Sequence, residues 1–254
     1  MSGLSKRSPS EKDVPSPMTE VSADVDSDMG NSAMVEDAGL TAAKRPLDDR
    51  AGDARQDTKH LALIYDKAAT ALIGLGSETE RVAGATGGTA KVCAELKGRE
   101  RALQKIESDY DGHPERLVDV ARASVFYDTD EGMKDGVALI RKSMDVVRVK
   151  NNFELPKGGY RDYNFNVRID GHVCELQVHL TAIIEAKKEG HDDYEVVREI
   201  EARQKNGDPI TPDDLKLLGE KRAAMWKLYN DAYAGAGGKV TEEERSHEPE
   251  TEKA

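Results

Sequence analysis

The sequence predicts an α+β fold, in which a mixed β-sheet of about four or five strands is flanked by helices. Five stretches carry apolar residues at helical spacing. Two strand-like runs are joined by Asp170-Gly171, which is among the strongest short-range signals for a β-hairpin. The order of the patterns is helices, strand, helix, strand, hairpin and helices, and that order favours helices segregated against a mixed sheet.

The two ends of the 254-residue chain have the composition of disordered protein. Residues 1–58 form an acidic and polar arm without Trp, Tyr, Phe or Ile, and residues 236–254 are similarly polar. Such segments bury too little apolar surface to offset their conformational entropy. The sequence therefore predicts one domain over residues 59–235, with its core at residues 90–205.

The first part of this domain reads as two helices separated by a glycine-rich break. Apolar spacing predicts a helix over 60–75, a flexible break over 84–89 and a second helix over 90–107. The break is not a phosphate-binding P-loop, because no strand precedes it and no Lys-Ser/Thr pair follows Gly88.

The remaining elements follow in the order that a mixed sheet needs. The predicted elements are a buried strand over 117–128, a helix over 131–144, a strand over 146–153, a turn over 156–159, hairpin strands over 160–169 and 172–180, and helices over 180–204 and 210–234. The last helix has Thr211 as N-cap and Pro212 at its first position. Its apolar face is expected to pack on the domain, and self-association into a homo-oligomer is the alternative.

One face of the predicted hairpin collects polar and ionisable side chains. Alternate residues of a strand share a face, so Cys174, Leu176 and Val178 lie on the opposite side from Glu175 and its neighbours. The polar set comprises Glu175, Gln177 and His179 on one strand, and Tyr160, Asp162, Asn164, Asn166 and Arg168 on the other. This set suggests a functional site, and the alternative is a face exposed to solvent.

Composition narrows the classes of function. The formal net charge of −12 argues against sequence-independent binding to a nucleic-acid backbone, although a local basic pocket remains compatible. Cys93 and Cys174 form no CxxC pattern, and no run of 18 apolar residues predicts a membrane span. The start lacks the apolar core of a secretory signal, so a cytoplasmic location is expected. A Ser-rich, basic start also fits organelle targeting, but the many acidic residues before residue 60 argue against it.

The stretch VVRVKNNFELPKGGYRDYNFNVRIDGHVCELQVHL resembles the centre of the RelA/SpoT nucleotidyltransferase domain of alarmone synthetases. The shared pattern is a basic strand, a Pro-Lys turn, a Gly-Tyr strand and a strand with Glu-x-Gln, over roughly 110 residues. The resemblance implies a single-domain, divergent member that transfers pyrophosphate from ATP to the 3′-hydroxyl of GDP or GTP. It implies Mg²⁺ as cofactor, and ATP with a guanine nucleotide as binding partners.

The resemblance also assigns roles to individual residues. Asp119 and Glu175 match the magnesium-binding carboxylates, and Glu175 could accept the hydroxyl proton as general base. Tyr160 matches the tyrosine that stacks on the acceptor base. The implied donor clamp for ATP is Arg99, Arg101 and Lys105, and the implied acceptor-binding positions are Tyr160, Lys150, Lys157, Asn164, Gln177 and His179.

Departures from the family pattern fall on substrate-facing positions and keep three functions open. Asn164 replaces a histidine, Asp162 replaces a small polar residue, His179 replaces an arginine, and the donor clamp is compressed between Arg101 and Lys105. The first hypothesis is a pyrophosphokinase acting on GDP or GTP. The second is the same chemistry on an adenine nucleotide or an RNA 3′ end. The third is a degenerate, non-catalytic nucleotide-binding or interaction domain.

Overall fold

The computed structural model describes residues 54–154, 156, 158–242 and 244. Within these residues the chain forms a five-stranded sheet and six α-helices, together with a 3-10 turn at Pro114–Arg116. The elements are α1 (Leu61–Thr86), β1 (Thr89–Val92), α2 (Arg99–Asp109), β2 (Arg122–Tyr127), α3 (Asp130–Ser143), β3 (Val146–Asn151), β4 (Tyr163–Ile169), β5 (His172–Leu180), α4 (Thr181–Glu189), α5 (His191–Asn206) and α6 (Pro212–Gly235). The predicted α+β class is confirmed.

The sheet has the strand order β1-β2-β5-β4-β3 and is mixed. β2 and β5 run parallel, whereas the other neighbouring pairs are antiparallel. Ile169 pairs with His172 across a two-residue turn in which Asp170 and Gly171 have φ values of 47° and 80°. Positive φ at both turn residues matches the right-handed twist of the strands, so the Asp-Gly hairpin prediction is confirmed.

The apolar face of the sheet packs against α1 and α3. A Cβ placed on Gly74 of α1 would come within 2.7 Å of the Ile169 side chain, so α1 lies close over β4. The Arg141 guanidinium of α3 lies 5.9 Å from the centre of the Phe165 ring. The fully buried residues there are Phe165 and Val167 of β4 and Cys174, Leu176 and Val178 of β5.

The structure corrects the prediction of a helix over residues 90–107. Residues Thr89–Val92 form the edge strand β1, and α2 begins only at Arg99. Gly88 allows the close approach, because a Cβ there would meet the Tyr127 ring at 2.7 Å. Pairing with β2 therefore overrides the helical preference of this segment, as tertiary contacts commonly do.

The predicted break over residues 84–89 also differs from the structure. α1 continues past residue 75 to Thr86, with Thr79, Val82 and Ala83 buried against the domain. Gly87 ends it with a φ of 73°, a left-handed conformation that suits glycine. The glycines therefore mark a helix terminus and a strand start.

Contacts of the domain extend beyond both boundaries placed at residues 59 and 235. The Gln56 side chain is buried and donates to the Leu117 and Val173 carbonyl oxygens at 3.1 and 2.8 Å. At the other end, Trp226 Nε1 donates to the Glu244 carbonyl oxygen at 2.6 Å. Residues 1–53, 243 and 245–254 of the predicted disordered arm and tail lie outside the described residues. Among the described helices, none combines the length and apolar character needed to cross a bilayer.

Candidate active site

Asp119 occupies a buried position immediately before β2. The strand predicted over 117–128 begins at Arg122, so Asp119 lies in the segment that leads into it. Its Oδ2 accepts hydrogen bonds from Lys97 Nζ at 3.2 Å and Lys105 Nζ at 2.8 Å. Its Oδ1 is buried and has no hydrogen-bond partner among the described residues. One oxygen of this carboxylate is thus held by two cations, while the other has its lone pairs available.

The two lysines govern the charge of this carboxylate. Burial raises the pKa of Asp119, but the opposing attraction of Lys105 and Lys97 is stronger, and the pKa falls below its ordinary value. Burial lowers the pKa of Lys105, yet the Asp119 charge dominates and raises it overall. Asp119 and Lys105 are therefore both charged at neutral pH, and the Lys97 and Lys105 side chains flank the same carboxylate oxygen.

Sequence reasoning missed Lys97. It lies in the segment between β1 and α2 that was predicted to be helical, and its side chain is 7% exposed. The Lys97 N–H donates to the Val120 carbonyl oxygen at 3.0 Å, which fixes the segment beside Asp119. The only sequence signal was its closeness to the basic cluster at residues 99–105.

Glu175 lies in the middle of β5, beside the segment that holds Asp119. β2 and β5 are parallel neighbours, and Arg122 is the residue directly opposite Glu175. Glu175 Oε2 accepts from Asn164 Nδ2 at 2.9 Å, and Oε1 accepts from Gln177 Nε2 at 3.0 Å. Burial and the nearby Asp119 charge raise the pKa of Glu175. The two carboxylates thus interact, and their environments move their pKa values in opposite directions.

The β5 side of the hairpin's polar face is buried. All nine residues of β5 are buried, including Gln177 and His179, whereas Asn164 and Arg168 on β4 are half-buried. The alternative of a solvent-exposed face is therefore wrong for β5. His179 Nε2 lies 3.1 Å from Gln177 Oε1. Because Gln177 donates its amide to Glu175, its oxygen faces His179, and His179 Nε2 carries the proton. Burial lowers the pKa of His179 to about 3, which keeps it neutral.

Tyr160 lies in the segment before β4 and faces α4 and α6. The Tyr160 ring meets Tyr229 edge-on, with 5.6 Å between ring centres, and Lys187 Nζ lies 5.4 Å from the Tyr160 ring centre. The Tyr160 hydroxyl donates to Asp162 Oδ2 at 3.4 Å, and Asn152 Nδ2 donates to Asp162 Oδ1 at 2.6 Å. Burial raises the pKa of Asp162, while Asn152 lowers it to a smaller extent.

The remaining predicted residues lie at different distances from the two carboxylates. Lys150 is half-buried on β3 and pairs in register with Asn164. Arg99 is exposed at the start of α2, and its guanidinium lies 4.8 Å from the centre of the Tyr65 ring. Arg101 is exposed and precedes Lys105 by four residues, so the two share a face of α2. Lys157 lies outside the described residues.

The structure therefore brings one compact set together. The set consists of Asp119, Lys97, Lys105, Glu175, Asn164, Gln177 and His179. Burial raises the pKa of Tyr160, and the charge of Glu175 contributes to that rise. The charge of Lys150 opposes the burial that raises the pKa of Asp162, the residue that Tyr160 bonds. Among the described residues, no group of three or more His, Cys, Asp or Glu side chains is placed to hold a metal ion.

Among characterised proteins, a relative of this chain is found by sequence. The chain is 28% identical over 143 residues to the (p)ppApp synthetase toxin Tas1 of Pseudomonas aeruginosa strain UCBPP-PA14, a match that covers 53% of this chain and 32% of Tas1. The chain therefore spans about a third of the length of this relative. No protein-family model matches the chain.

One solved structure superposes on most of this chain. The complex between the Type VI effector Tas1 and its immunity protein contains a chain that superposes with a TM-score of 0.52 and 23% identity, covering 69% of this chain and 99% of that one. The small alarmone synthetase 1 from Bacillus subtilis gives a TM-score of 0.44 and 15% identity, covering 69% and 93%. The mixed sheet, the resemblance along the hairpin and the Tas1 superposition agree: the chain has the RelA/SpoT-like alarmone synthetase fold.

Proposed function

We propose that this protein transfers pyrophosphate from ATP to the 3′-hydroxyl of an adenine nucleotide. The observation that carries the proposal is the interacting pair of buried carboxylates, Asp119 and Glu175, beside the buried cations Lys97 and Lys105. Pyrophosphoryl transfer needs charge neutralisation and in-line positioning more than covalent chemistry by the protein. A site that combines fixed cations, a carboxylate with a free oxygen and a second, more basic carboxylate meets those needs.

The carboxylates suit a magnesium ion. Asp119 Oδ1 is a buried oxygen without a hydrogen-bond partner among the described residues, and Glu175 supplies a second carboxylate close by. Magnesium in nucleotide enzymes is usually held by one or two carboxylates, with phosphate oxygens and water completing the coordination. Asp119 and Glu175 would hold the ion. Bound there, it would neutralise charge on the ATP phosphates.

The donor triphosphate fits the cationic side of the site. Lys97 and Lys105 point their ammonium groups at Asp119 from two directions, and both are mostly buried. Phosphate oxygens that approach Asp119 would meet both groups at short range in a poorly hydrated environment, where charge attraction is strong. Arg101 extends this cationic surface along the exposed side of α2, and Arg99 lies at its start beside Tyr65.

Glu175 is suited to accept the proton of the attacking hydroxyl. Burial and Asp119 raise its pKa, which brings it closer to neutral pH and makes it a better base than an exposed glutamate. Asn164 and Gln177 each donate to one of its oxygens and hold the carboxylate in one orientation. In the proposed step the 3′-oxygen forms a bond to the β-phosphorus of ATP and gives its proton to Glu175. The bond from that phosphorus to the α,β-bridging oxygen breaks, and AMP leaves with the electron pair.

The choice of an adenine acceptor rests on the relative rather than on the geometry. Tas1 is named a (p)ppApp synthetase, and its sequence match covers 53% of this chain. The GDP or GTP acceptor predicted from the family resemblance uses the same carboxylates and the same Tyr160 ring. Stacking on a tyrosine accepts either purine, since every base has a π-face.

A direct assay with the full chain distinguishes these acceptors. The protein is incubated with Mg²⁺ and γ-labelled ATP, first alone and then with ADP, GDP, GTP or an RNA oligonucleotide. AMP release and label in the acceptor are measured together. The proposal predicts release with ATP alone or with ADP, and a decrease of about 10²- to 10⁴-fold in the Glu175→Gln variant, which lacks the base.

A matched variant and the alternative outcomes complete the test. Glu185→Gln changes an exposed glutamate of α4 and should leave the rate unchanged. Release that requires GDP or GTP identifies a guanine acceptor, and label in the RNA identifies a 3′ end. A folded protein that binds nucleotides yet releases no AMP with any acceptor refutes the proposed reaction and supports the non-catalytic hypothesis.

A further inference from the structure

Arg161, the residue after Tyr160, has an unusual environment for an arginine. Its side chain has no exposed surface. One terminal nitrogen donates to the Gly159 carbonyl oxygen at 2.7 Å, and the other donates to Glu244 Oε1 at 2.8 Å. The guanidinium also lies 4.7 Å from the centre of the Tyr233 ring. A fully buried guanidinium is costly unless it is paired, so Glu244 has a specific role in keeping Arg161 inside.

Glu244 is itself held by a set of contacts near the end of the described chain. Thr241 and Glu244 cap each other, since the Thr241 N–H donates to Glu244 Oε2 at 2.8 Å and the Glu244 N–H donates to Thr241 Oγ1 at 3.1 Å. The Glu244 carbonyl oxygen accepts from Trp226 Nε1 at 2.6 Å and from Asn230 Nδ2 at 3.3 Å. We call Thr241, Glu242 and Glu244 the C-terminal strap, which is fastened to α6 by these bonds.

The backbone before Arg161 is held equally closely by α6. Gly159 has a φ of 85°, and a Cβ placed there would lie 3.1 Å from the Cα and carbonyl oxygen of Trp226. The next side chain, Tyr160, packs edge-on against Tyr229 one turn further along the same helix. The peptide that carries the Tyr160 ring is therefore confined between α6 on one side and the Arg161 contacts on the other.

From these contacts we propose that Arg161 and Glu244 are positioning residues for the acceptor base, acting through the Gly159–Tyr160 backbone. The inference rests on the proposed function, in which Tyr160 stacks on the acceptor. Without the Glu244 carboxylate, the guanidinium must draw in water or turn outward. Its bond to the Gly159 carbonyl is then lost, and the Tyr160 ring is no longer fixed.

The effect should fall on the acceptor and not on ATP. The proposed donor contacts are Lys97, whose backbone N–H donates to the Val120 carbonyl oxygen, and Lys105 on α2. Both ammonium groups donate to Asp119, and neither bonds a described residue of the strap. A positioning role for Glu244 therefore predicts a change in the Michaelis constant for the acceptor. The constant for ATP, measured at saturating ADP so that ATP serves as donor only, should be preserved. A general loss of stability would move both constants and the turnover number together.

The experiment uses the full chain with Glu244→Ala, Glu244→Gln and the control Glu242→Ala, which alters an exposed glutamate of the same strap. Trp226 is the only tryptophan of the chain, so its fluorescence reports whether the strap stays in place. ADP is the acceptor probe. We expect Glu244→Ala to red-shift the emission and raise the constant for ADP about tenfold, which is a loss of about 1.4 kcal/mol of binding free energy. Glu244→Gln keeps an acceptor oxygen and should fall between Glu244→Ala and wild type.

The outcomes separate this inference from the proposed reaction. An emission shift without a change in the ADP constant overturns the positioning role. The absence of any shift also overturns it, because the Glu244 side chain would then not hold the strap in place. Equal changes for ADP and ATP also overturn it. If wild type binds ADP in calorimetry but releases no AMP, the reaction fails, and the ADP dissociation constants of the same variants decide the inference. A wild-type protein that binds no purine nucleotide overturns both.

Discussion

Replacing Asp119 by asparagine tests whether the cationic side of the site is built around this carboxylate. The change keeps the shape of the side chain and one acceptor oxygen, but removes the negative charge that lies 2.8 Å from Lys105 and 3.2 Å from Lys97. These lysine side chains are 11% and 7% exposed. Two ammonium groups would then face each other with little water to screen them. The folded state should therefore be destabilised.

The magnitude follows from the burial of the pair. Removing one member of a buried ion pair typically costs about 3–5 kcal/mol, because the remaining charge stays desolvated. Asparagine can still accept one hydrogen bond, which places the expected loss near the lower end, at about 3 kcal/mol. For a domain of this size that loss lowers the melting temperature by about 6–12 °C.

The measurement is thermal unfolding of wild type and variant, each with and without ATP in the absence of magnesium. ATP should stabilise the Asp119→Asn variant more than wild type, because phosphate oxygens replace the missing carboxylate as partners of the lysines. Asp111→Asn is the matched control. The Asp111 side chain is 89% exposed, and its Oδ2 lies 3.8 Å from a terminal nitrogen of Arg116. An exposed ion pair of this kind contributes about 0–1 kcal/mol to stability.

Two results would refute this reasoning. One is a melting temperature for Asp119→Asn within about 2 °C of the Asp111→Asn value, which would mean that the lysines lose little when the charge is removed. The other is an equal effect of ATP on variant and wild type. That result would show that the triphosphate binds somewhere other than beside Lys97 and Lys105.

Two further properties of the fold are open to measurement. Burial lowers the pKa of His172 to about 4 and that of His179 to about 3, below the usual 6.5. Their contribution to the free energy of unfolding is therefore complete above pH 6.5 and is lost as pH falls toward 4, because only the unfolded state takes up the protons in that range. The urea midpoint of wild type should drop across that window, and that of His172→Gln should drop less steeply. A flat wild-type profile would contradict this. Gly159→Ala should destabilise the folded state more than Gly87→Ala. Both glycines have positive φ, but only at Gly159 would a Cβ meet neighbouring atoms. Equal urea midpoints for the two variants would argue against that crowding.

The hairpin could be predicted because its determinants are local. The Asp-Gly turn sets the register of β4 and β5, and strand periodicity then decides that Asn164 and Gln177 share a face with Glu175. The structure pairs Asn164 with Gln177, and both side chains donate to Glu175. Periodicity alone left open whether that face was covered, since it shows which residues share a side but not what lies over it.

β1 and Lys97 could not be predicted because their determinants are distant in sequence. Residues 89–92 become a strand only through pairing with residues 123–126, and the helical spacing of the segment gave no sign of this. Lys97 then follows β1 in an irregular segment held by the Val120 carbonyl oxygen. A lysine among charged neighbours is normally an exposed residue, so its burial beside Asp119 depends entirely on the tertiary structure.

The departures from the family pattern acquire a physical meaning in the folded chain. His179 stands where an arginine was expected, and it is buried, neutral and bonded to Gln177. An arginine there would bring a permanent charge close to Glu175 and would oppose the rise in its pKa. A neutral histidine orients the Gln177 amide without adding that charge, which keeps Glu175 more basic. The substitution therefore removes a cation from the site and, at the same time, supports the residue proposed as the base, so it does not by itself indicate a degenerate site.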